Sequence, residues 1–536
     1  MLIAAMQASA ERQTQSIVMT PVHTVLLRYL AILLLGVQLG ACALPQVKER
    51  TLSSALTAEE SSATTLGRVL EPIKRPHSGK SGIMPLVDAH SAFAARMLMA
   101  NSAEKTLDIQ NYIWRNDNTG TLLLEALHKA ADRGVRVRLL LDDNGIPGLD
   151  ARLAALDSHP MIEVRLFNPF PFRPAKFLGY LTDFSRVNRR MHNKSFTVDN
   201  QVTIVGGRNI GDEYFGATDG VLFADLDLMA IGDVVRETSS DFDRYWASDS
   251  AYPASQILPQ RPVEELRFLT EAANDVEQAV TNEGYVKALG DSQFIRDFLD
   301  GRHDFDWAKV EMISDDPKKG LGLAENKDFL MFDLQRILRQ PRASVDLVSP
   351  YFVPTKTGAA GFSRLSAQGV KVRILTNALE STDVAAVHAG YAKHRKALLK
   401  AGIELYEMRR QGNASQWEQR LGPLGSSGSS LHAKTFTVDS SRVFVGSFNF
   451  DPRSARLNTE LGFIVESPAL AEKIQKAFES NVPELAYEVR LNDEGELYWI
   501  ERKGEEELIY YTDPGTSFLK RLGVSILSVF PIDWLL

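Results

Sequence analysis

Residues 191–210 read MHNKSFTVDNQVTIVGGRNI, and residues 431–450 read LHAKTFTVDSSRVFVGSFNF. Laid over each other, the two stretches agree at His, Lys, Phe, Thr, Val, Asp, Val, Gly and Asn. Copies this far apart are not a solenoid, whose repeat unit runs to roughly 20–50 residues. They point to a duplicated domain. In each copy two apolar runs, KSFTV and VTIVG or KTFTV and RVFVG, flank Asp199-Asn200 or Asp439-Ser440. The reading is strand, turn, strand. His192 and Lys194 stand two apart and so share one face of an extended chain, as do His432 and Lys434. Gly206-Gly207 and Gly446-Ser447 then turn the chain, bringing Asn209 and Asn449 towards that face.

Working outward, the approach to each phrase repeats as well. TLDIQNYIW (106–114) reads as a strand, LLLEALHKAADRG as a helix closed by Gly134, and VRVRLLLD (135–142) as a second strand. In the other half SVDLVSPYFV (344–353), FSRLSAQG and VKVRILTN (370–377) follow the same order. A further unit follows each, DARLAALDSHPMIEVRLFNP or KHRKALLKAGIELYEM. Strands alternating with helices predict an α/β fold: two related lobes, each a mixed, largely parallel sheet flanked by helices. The predicted boundaries are 81–247 for the first lobe, 248–327 for a helical and loop segment between lobes, 328–490 for the second lobe and 491–536 for an extension.

The 536 residues are 44% hydrophobic and 24% charged, an ordinary globular balance. The formal charge of −8 gives no general attraction to nucleic acid, and none is expected as a partner. The single cysteine, Cys42, excludes an intrachain disulfide. It ends Leu39-Gly40-Ala41-Cys42, after an apolar run from Tyr29 to Leu39 that Arg28 precedes. That run has the length of a signal core and is short for a bilayer span. The string resembles a bacterial lipoprotein signal with Cys42 as the acylated residue, so 1–42 is predicted to be a signal segment, starting at Met1 or Met19. An uncleaved membrane helix is the alternative. Acylation predicts anchoring on the periplasmic side of the inner or the outer membrane; Leu44 after the cysteine disfavours inner-membrane retention. Residues 43–80, rich in Ser, Thr, Ala and Glu, are predicted to be a tether.

Each half offers an imidazole, an ammonium and a carboxamide, so two facing halves offer two of each. That set suits displacement at a phosphodiester without metal or other cofactor. One histidine attacks phosphorus and the other protonates the leaving alcohol. Two lysines and two asparagines stabilise the charge that builds on the phosphoryl oxygens. The histidines need opposite protonation states, so each should have an orienting carboxylate. Glu460, in ARLNTELGFIV, and Asp225, in LFADLDLMAIG, hold corresponding places, with Asp227 as the neighbouring alternative.

The paired HxKxxxxD phrases resemble the phospholipase D superfamily, and the repeat spans most of Leu86 to Glu466. The resemblance implies a phosphohistidine mechanism and one active site on a pseudo-twofold axis. It also implies His192 as nucleophile and His432 as acid and base, with Glu460 the acid that holds the histidine of its own half. Asp199 and Asp439 take a structural role, and Gly207 and Ser447 belong to the motif. DPRSARLNTE after the second phrase and the FPIDWLL ending are similar to cardiolipin synthases of the C type. This implies transfer of a phosphatidyl group to phosphatidylglycerol from phosphatidylethanolamine or a second phosphatidylglycerol, at a membrane surface, with or without an accessory protein. Hydrolysis of phospholipids, or secondarily of nucleic acid, by the same chemistry is the alternative. Arg186, Arg189 and Arg190 beside the first phrase are candidates for a second anionic headgroup. Leu519, Leu522, Ile526 and Val529 form one helical stripe near the end, with Lys520, Arg521 and Trp534 beside it, as in an interfacial helix.

Overall fold

The computed structural model describes residues 50–217, 222–283, 305–338, 341–410 and 430–530, together with Leu44, Pro45 and Val47. The expected signal segment with Cys42, the FPIDWLL ending beyond Phe530 and Trp534 lie outside the described residues.

Both halves build the same sheet. The first lobe contains β1 (Ser81–Leu86), β2 (Thr106–Asn111), β3 (Arg136–Asp142), β4 (Ile162–Phe167), β5 (Ser195–Val198), β6 (Val202–Gly206), β7 (Phe223–Ala224), β8 (Asp227–Gly232) and β9 (Ala251–Pro253). The second contains β10 (Asp306–Ser314), β11 (Ser344–Val348), β12 (Lys371–Asn377), β13 (Glu404–Met408), β14 (Ser430–Leu431), β15 (Thr435–Val438), β16 (Arg442–Gly446), β17 (Leu461–Glu466), β18 (Ala486–Leu491), β19 (Leu497–Lys503) and β20 (Glu506–Tyr510). Strands β2, β3 and β4 run parallel, and β5, β6 and β8 continue the sheet antiparallel beside β2. Strands β11, β12 and β13 and then β15, β16 and β17 repeat that arrangement. The lobes join where β1 pairs antiparallel with β10, Gly82 opposite Trp307.

The repeat reaches into the cores. Arg138 on β3 forks onto Asp108 on β2 at 2.6 and 2.8 Å, and Arg373 on β12 forks onto Asp346 on β11 at 2.6 and 3.0 Å. A buried arginine needs such a bidentate carboxylate, because an unpaired charge in the interior costs several kcal/mol. Each phrase folds as read. Asp199 and Asn200, and Asp439 and Ser440, take positive φ between 47° and 54° and close tight hairpin turns.

Two stretches differ from expectation. Residues 50–77 are no tether: Ala58–Ser62 and Thr65–Lys74 are helices docked on the first lobe. Thr57 and Glu60 form a capping box, Leu70 enters the core, and Ser61 Oγ donates to the Asp199 carbonyl at 2.6 Å. Its Ser- and Thr-rich composition is that of helix caps rather than of a flexible spacer. The stretch 248–327, expected as a helical and loop segment between the lobes, is divided between them where it is described. Helix Leu266–Glu283 packs against helix Asn118–Asp132 of the first lobe, and β10 is part of the second lobe's sheet.

At the carboxy terminus, β19 and β20 widen the second sheet and helix Phe518–Val529 follows. Ser517 caps that helix, and Val524 and Leu527 dock it on Leu379, Ala385 and Ala389. Phe518, Leu519, Leu522, Ile526 and Val529 remain exposed. No helix among the described residues is long and apolar enough to cross a membrane.

Candidate active site

The two phrases meet at the lobe interface, each seated on the opposite lobe. The His192 backbone N–H donates to the Thr459 carbonyl at 2.9 Å, and Thr459 N–H returns a bond of 2.9 Å to Arg190. On the other side β14 pairs with β7, and His432 N–H donates to the Ala224 carbonyl at 2.7 Å. Thr459 and Ala224 are the residues just before Glu460 and Asp225. Each carboxylate is thereby aimed at the histidine of the other half.

His192 Nδ1 lies 2.8 Å from Glu460 Oε2, and His432 Nδ1 lies 2.5 Å from Asp225 Oδ2. This corrects the expectation that Glu460 serves the histidine of its own half. The backbone bonds of His192 to Thr459 and of His432 to Ala224 seat each acid beside the imidazole of the other half. Asp225, not Asp227, takes the orienting place. Asp227 instead binds Arg96 at 2.9 Å and Arg208 at 3.3 Å.

Side-chain lengths fit the two acids. A Cβ at Gly207 would stand 2.2 Å from Asp225 Oδ1, so only glycine leaves room there. At the equivalent place in the second lobe, the Ser447 hydroxyl donates to Glu460 Oε2 at 2.5 Å. Behind Asp225, Arg208 donates to its carbonyl at 2.7 Å and is fully buried.

The lysines lie folded under the imidazoles. Lys194 Nζ donates to the His192 carbonyl at 2.6 Å, and Lys434 Nζ to the His432 carbonyl at 2.5 Å. Burial pushes them down to about 7 for Lys194 and about 8 for Lys434. Glu460 and Asp225 favour the charged forms of both ammonium groups. Asn209 accepts from Ile113 N–H at 3.2 Å and donates to Tyr214 at 2.9 Å, while the buried Asn449 Oδ1 has no partner.

Burial, then Lys194 and Lys434, holds His192 well below the ordinary histidine value. Burial also lifts Glu460 to about 7, so this pair shares one proton near neutrality. Asp225 is different: burial opposes its ionisation, but His432, Lys434 and Arg208 outweigh that and hold it below the usual carboxylate range. His432 is lowered by burial and Lys434, with the ionised Asp225 pulling the other way.

Asp199 and Asp439 stay out of the chemistry. Asp199 accepts from the N–H groups of Glu104, Lys105 and Thr106 at 2.8–2.9 Å, and Asp439 from Arg342, Ala343 and Ser344. In the arginine cluster Arg186 and Arg189 are half-buried and only Arg190 is fully turned inward. Arg190 is buried and bonds to the Asn168 carbonyl and Asp142, which removes it from the expected headgroup role. Arg186 pairs with Asp183 at 2.7 Å, and Arg189 reaches the Arg456 carbonyl at 3.1 Å.

Three tyrosines at the site were missed from the sequence. Tyr112 stands edge-on to His192 at 4.8 Å between ring centroids and Tyr214 to His432 at 5.2 Å, while the Tyr351 hydroxyl bonds to Asp383 at 2.7 Å. Their signal was in QNYIW and SPYFV, the stretches that leave β2 and β11 in the two halves of the repeat. Among the described residues, one group has metal-like spacing, His388, Glu407 and Asp513. The Arg395 guanidinium already bonds Glu407 and Asp513 at 2.8 Å and fills the cation's place.

Two imidazoles, each on a carboxylate from the opposite lobe, with two lysines and two carboxamides, define a phospholipase D-type centre. A family model described as cardiolipin synthase, PLD-like domain, matches residues 98–246 and 334–482, and the chain belongs to that family. It is 50% identical to cardiolipin synthase C of Escherichia coli strain K12 over 471 residues, 88% of this chain and 99% of that protein. An uncharacterized protein of Helicobacter pylori strain 26695 is 31% identical over 487 residues, 89% of this chain and 94% of its own length. A phosphatidylserine synthase from Haemophilus influenzae shares the fold, with a TM-score of 0.52 and 14% identity, covering 75% of this chain and 86% of that one.

Proposed function

We propose that this chain is a phosphatidyltransferase that makes cardiolipin from phosphatidylglycerol and a second phospholipid, phosphatidylethanolamine or phosphatidylglycerol. The observation that carries the reading is the crossed pair of imidazole–carboxylate contacts. Together with 50% identity to a cardiolipin synthase over nearly the whole chain, it supports both the chemistry and the substrate.

Glu460 holds Nδ1 of His192, which leaves Nε2 as the atom free to attack phosphorus. The P–N bond forms as the bond to the leaving alcohol breaks, and His432 gives that alcohol its proton. His432 then takes the proton of the acceptor hydroxyl, and the acceptor oxygen displaces His192 from phosphorus. Lys194, Lys434, Asn209 and Asn449 bear on the phosphoryl oxygens in both steps. No metal enters the scheme.

The membrane is the partner this substrate requires. Two features support contact with it: the acylation string ending at Cys42 and the exposed Phe518–Val529 stripe with Lys520 and Arg521 beside it. We place the protein on the periplasmic side, held by the lipid on Cys42.

The test is lipid mass spectrometry of a bacterial host without its own cardiolipin synthases, expressing wild type or His432→Ala. Cardiolipin restored by wild type alone is the expected result. Phosphatidic acid rising without cardiolipin would make the protein a hydrolase instead.

A further inference from the structure

The segment joining the lobes contains ISDDPKKGLG (Ile313–Gly322), which none of the steps above uses. Asp316 caps a short turn over Pro317–Leu321 by accepting from Lys318 N–H at 2.8 Å. Lys318 points to solvent, whereas Lys319 turns inward to 2% exposure. Its ammonium lies 2.9 Å from Asp315 Oδ2 and donates to the Ser454 carbonyl at 2.8 Å. A lysine buried to this extent is held against a large desolvation penalty, so its place needs an explanation.

Asp315 supplies one. Its Oδ2 accepts from Glu460 N–H at 2.8 Å, and its own N–H donates to the Glu460 carbonyl at 3.0 Å. Its Oδ1 accepts from Leu330 N–H at 2.8 Å, and Tyr245 donates to its carbonyl at 2.8 Å. The acid is thus clamped from four sides and grips the peptide of Glu460 through both of that residue's backbone groups. We propose that Asp315 and Lys319 are positioning residues for His192: through Glu460 they fix the carboxylate under the imidazole and set the charge it presents.

The charged groups facing Glu460 are His192 and Lys194 from the first phrase, Lys434 from the second, Asp451 beyond it, and Asp315 with Lys319. Lys319 is among the groups that favour the ionised form of Glu460, and Asp315 and Glu460 oppose each other's ionisation. At the other pair Arg208 donates to the Asp225 carbonyl, and Leu226 N–H donates to Asp225 Oδ1 at 2.8 Å.

The sign of the effect follows from charge. Loss of the Lys319 ammonium makes the surroundings of the Glu460–His192 pair more negative, and the pair then binds its proton more tightly. Loss of the Asp315 carboxylate leaves Lys319 uncompensated and does the reverse. Lys319→Met should therefore move the acidic limb of the kcat/KM profile up by about one pH unit, and Asp315→Asn should move it down by a similar amount. The double variant should return close to wild type, with KM little changed throughout. Each single variant decides by itself, since the two shifts have opposite sign. Limbs that stay put, or move the same way in both, would reduce the pair to a structural prop.

The inference rests on His192 and Glu460 being reaction groups. The same titration is therefore followed in 15N-histidine spectra of the intact chain, which has ten histidines, with His192 assigned by its loss in His192→Gln. A silent wild-type lipid assay counts against the proposed function. Identical His192 titration in wild type and variants counts against this inference.

Discussion

Replacing Glu460 by glutamine should slow the enzyme and stabilise it above neutral pH. The carboxylate is fully buried and takes two bonds, from His192 Nδ1 at 2.8 Å and from Ser447 Oγ at 2.5 Å. Glutamine keeps the shape and removes the charge that supports the imidazolium character His192 gains when it is phosphorylated. A hydrogen bond to a charged group contributes about 1.5–3 kcal/mol. At about 1.4 kcal/mol per decade that is a loss of roughly 10- to 150-fold in kcat. Stability should move the other way. Burial lifts the Glu460 carboxyl from 4.5 to about 7, so the folded chain keeps a proton that the unfolded chain has released. The cost of ionising it is absent below pH 4.5, grows between 4.5 and 7, and is complete above 7. Glu460→Gln should melt at a higher temperature than wild type at pH 8 and lose most of that advantage at pH 4.5. The assay is initial transfer rate in phospholipid–detergent micelles beside thermal unfolding at the two pH values. A loss under about threefold would refute the assigned role. A perturbation seen at His432 rather than His192 would refute the crossed pairing.

His192→Ala and His432→Ala should each abolish turnover, since neither lobe holds a complete site, while EDTA leaves the wild-type rate unchanged; one variant near wild-type rate would break the shared-site arrangement. Gly207→Ala should cost at least tenfold in rate, about 1.4 kcal/mol, because its Cβ would fall 2.2 Å from Asp225 Oδ1 and push that acid off His432; a fully active variant would show that Asp225 tolerates displacement. Cys42→Ser should release the protein from membranes in cell fractionation, and Leu522→Ser with Ile526→Ser should weaken vesicle binding without lowering the melting temperature. Retention after Cys42→Ser alone would move the main anchor to the terminal helix or to an uncleaved amino-terminal segment.

Much of this protein could be read along the chain. The repeated phrase, the alternation of strands and helices and the His-x-Lys spacing are local patterns, written in residues a few positions apart. They predicted the α/β fold of two related halves and the hairpins, and they put forward the two His-Lys pairs as the reacting groups. Composition misled at residues 50–77, because Ser and Thr serve equally in spacers and in helix caps. Thr57-x-x-Glu60 was the sign that they cap here.

The pairing of acids with histidines could not be read in this way. Sequence distance favoured Glu460 with His432, and the fold joins it to His192 across the lobe interface. Lys319 follows Lys318 directly in the chain, and the turn over Pro317–Leu321 buries one side chain and leaves the other in water. A residue's type and its neighbours along the chain determine which bonds it is able to make. Which partner it meets, and in what dielectric, depends on how two sheets formed by distant segments come together, and that information belongs to no single stretch of the chain.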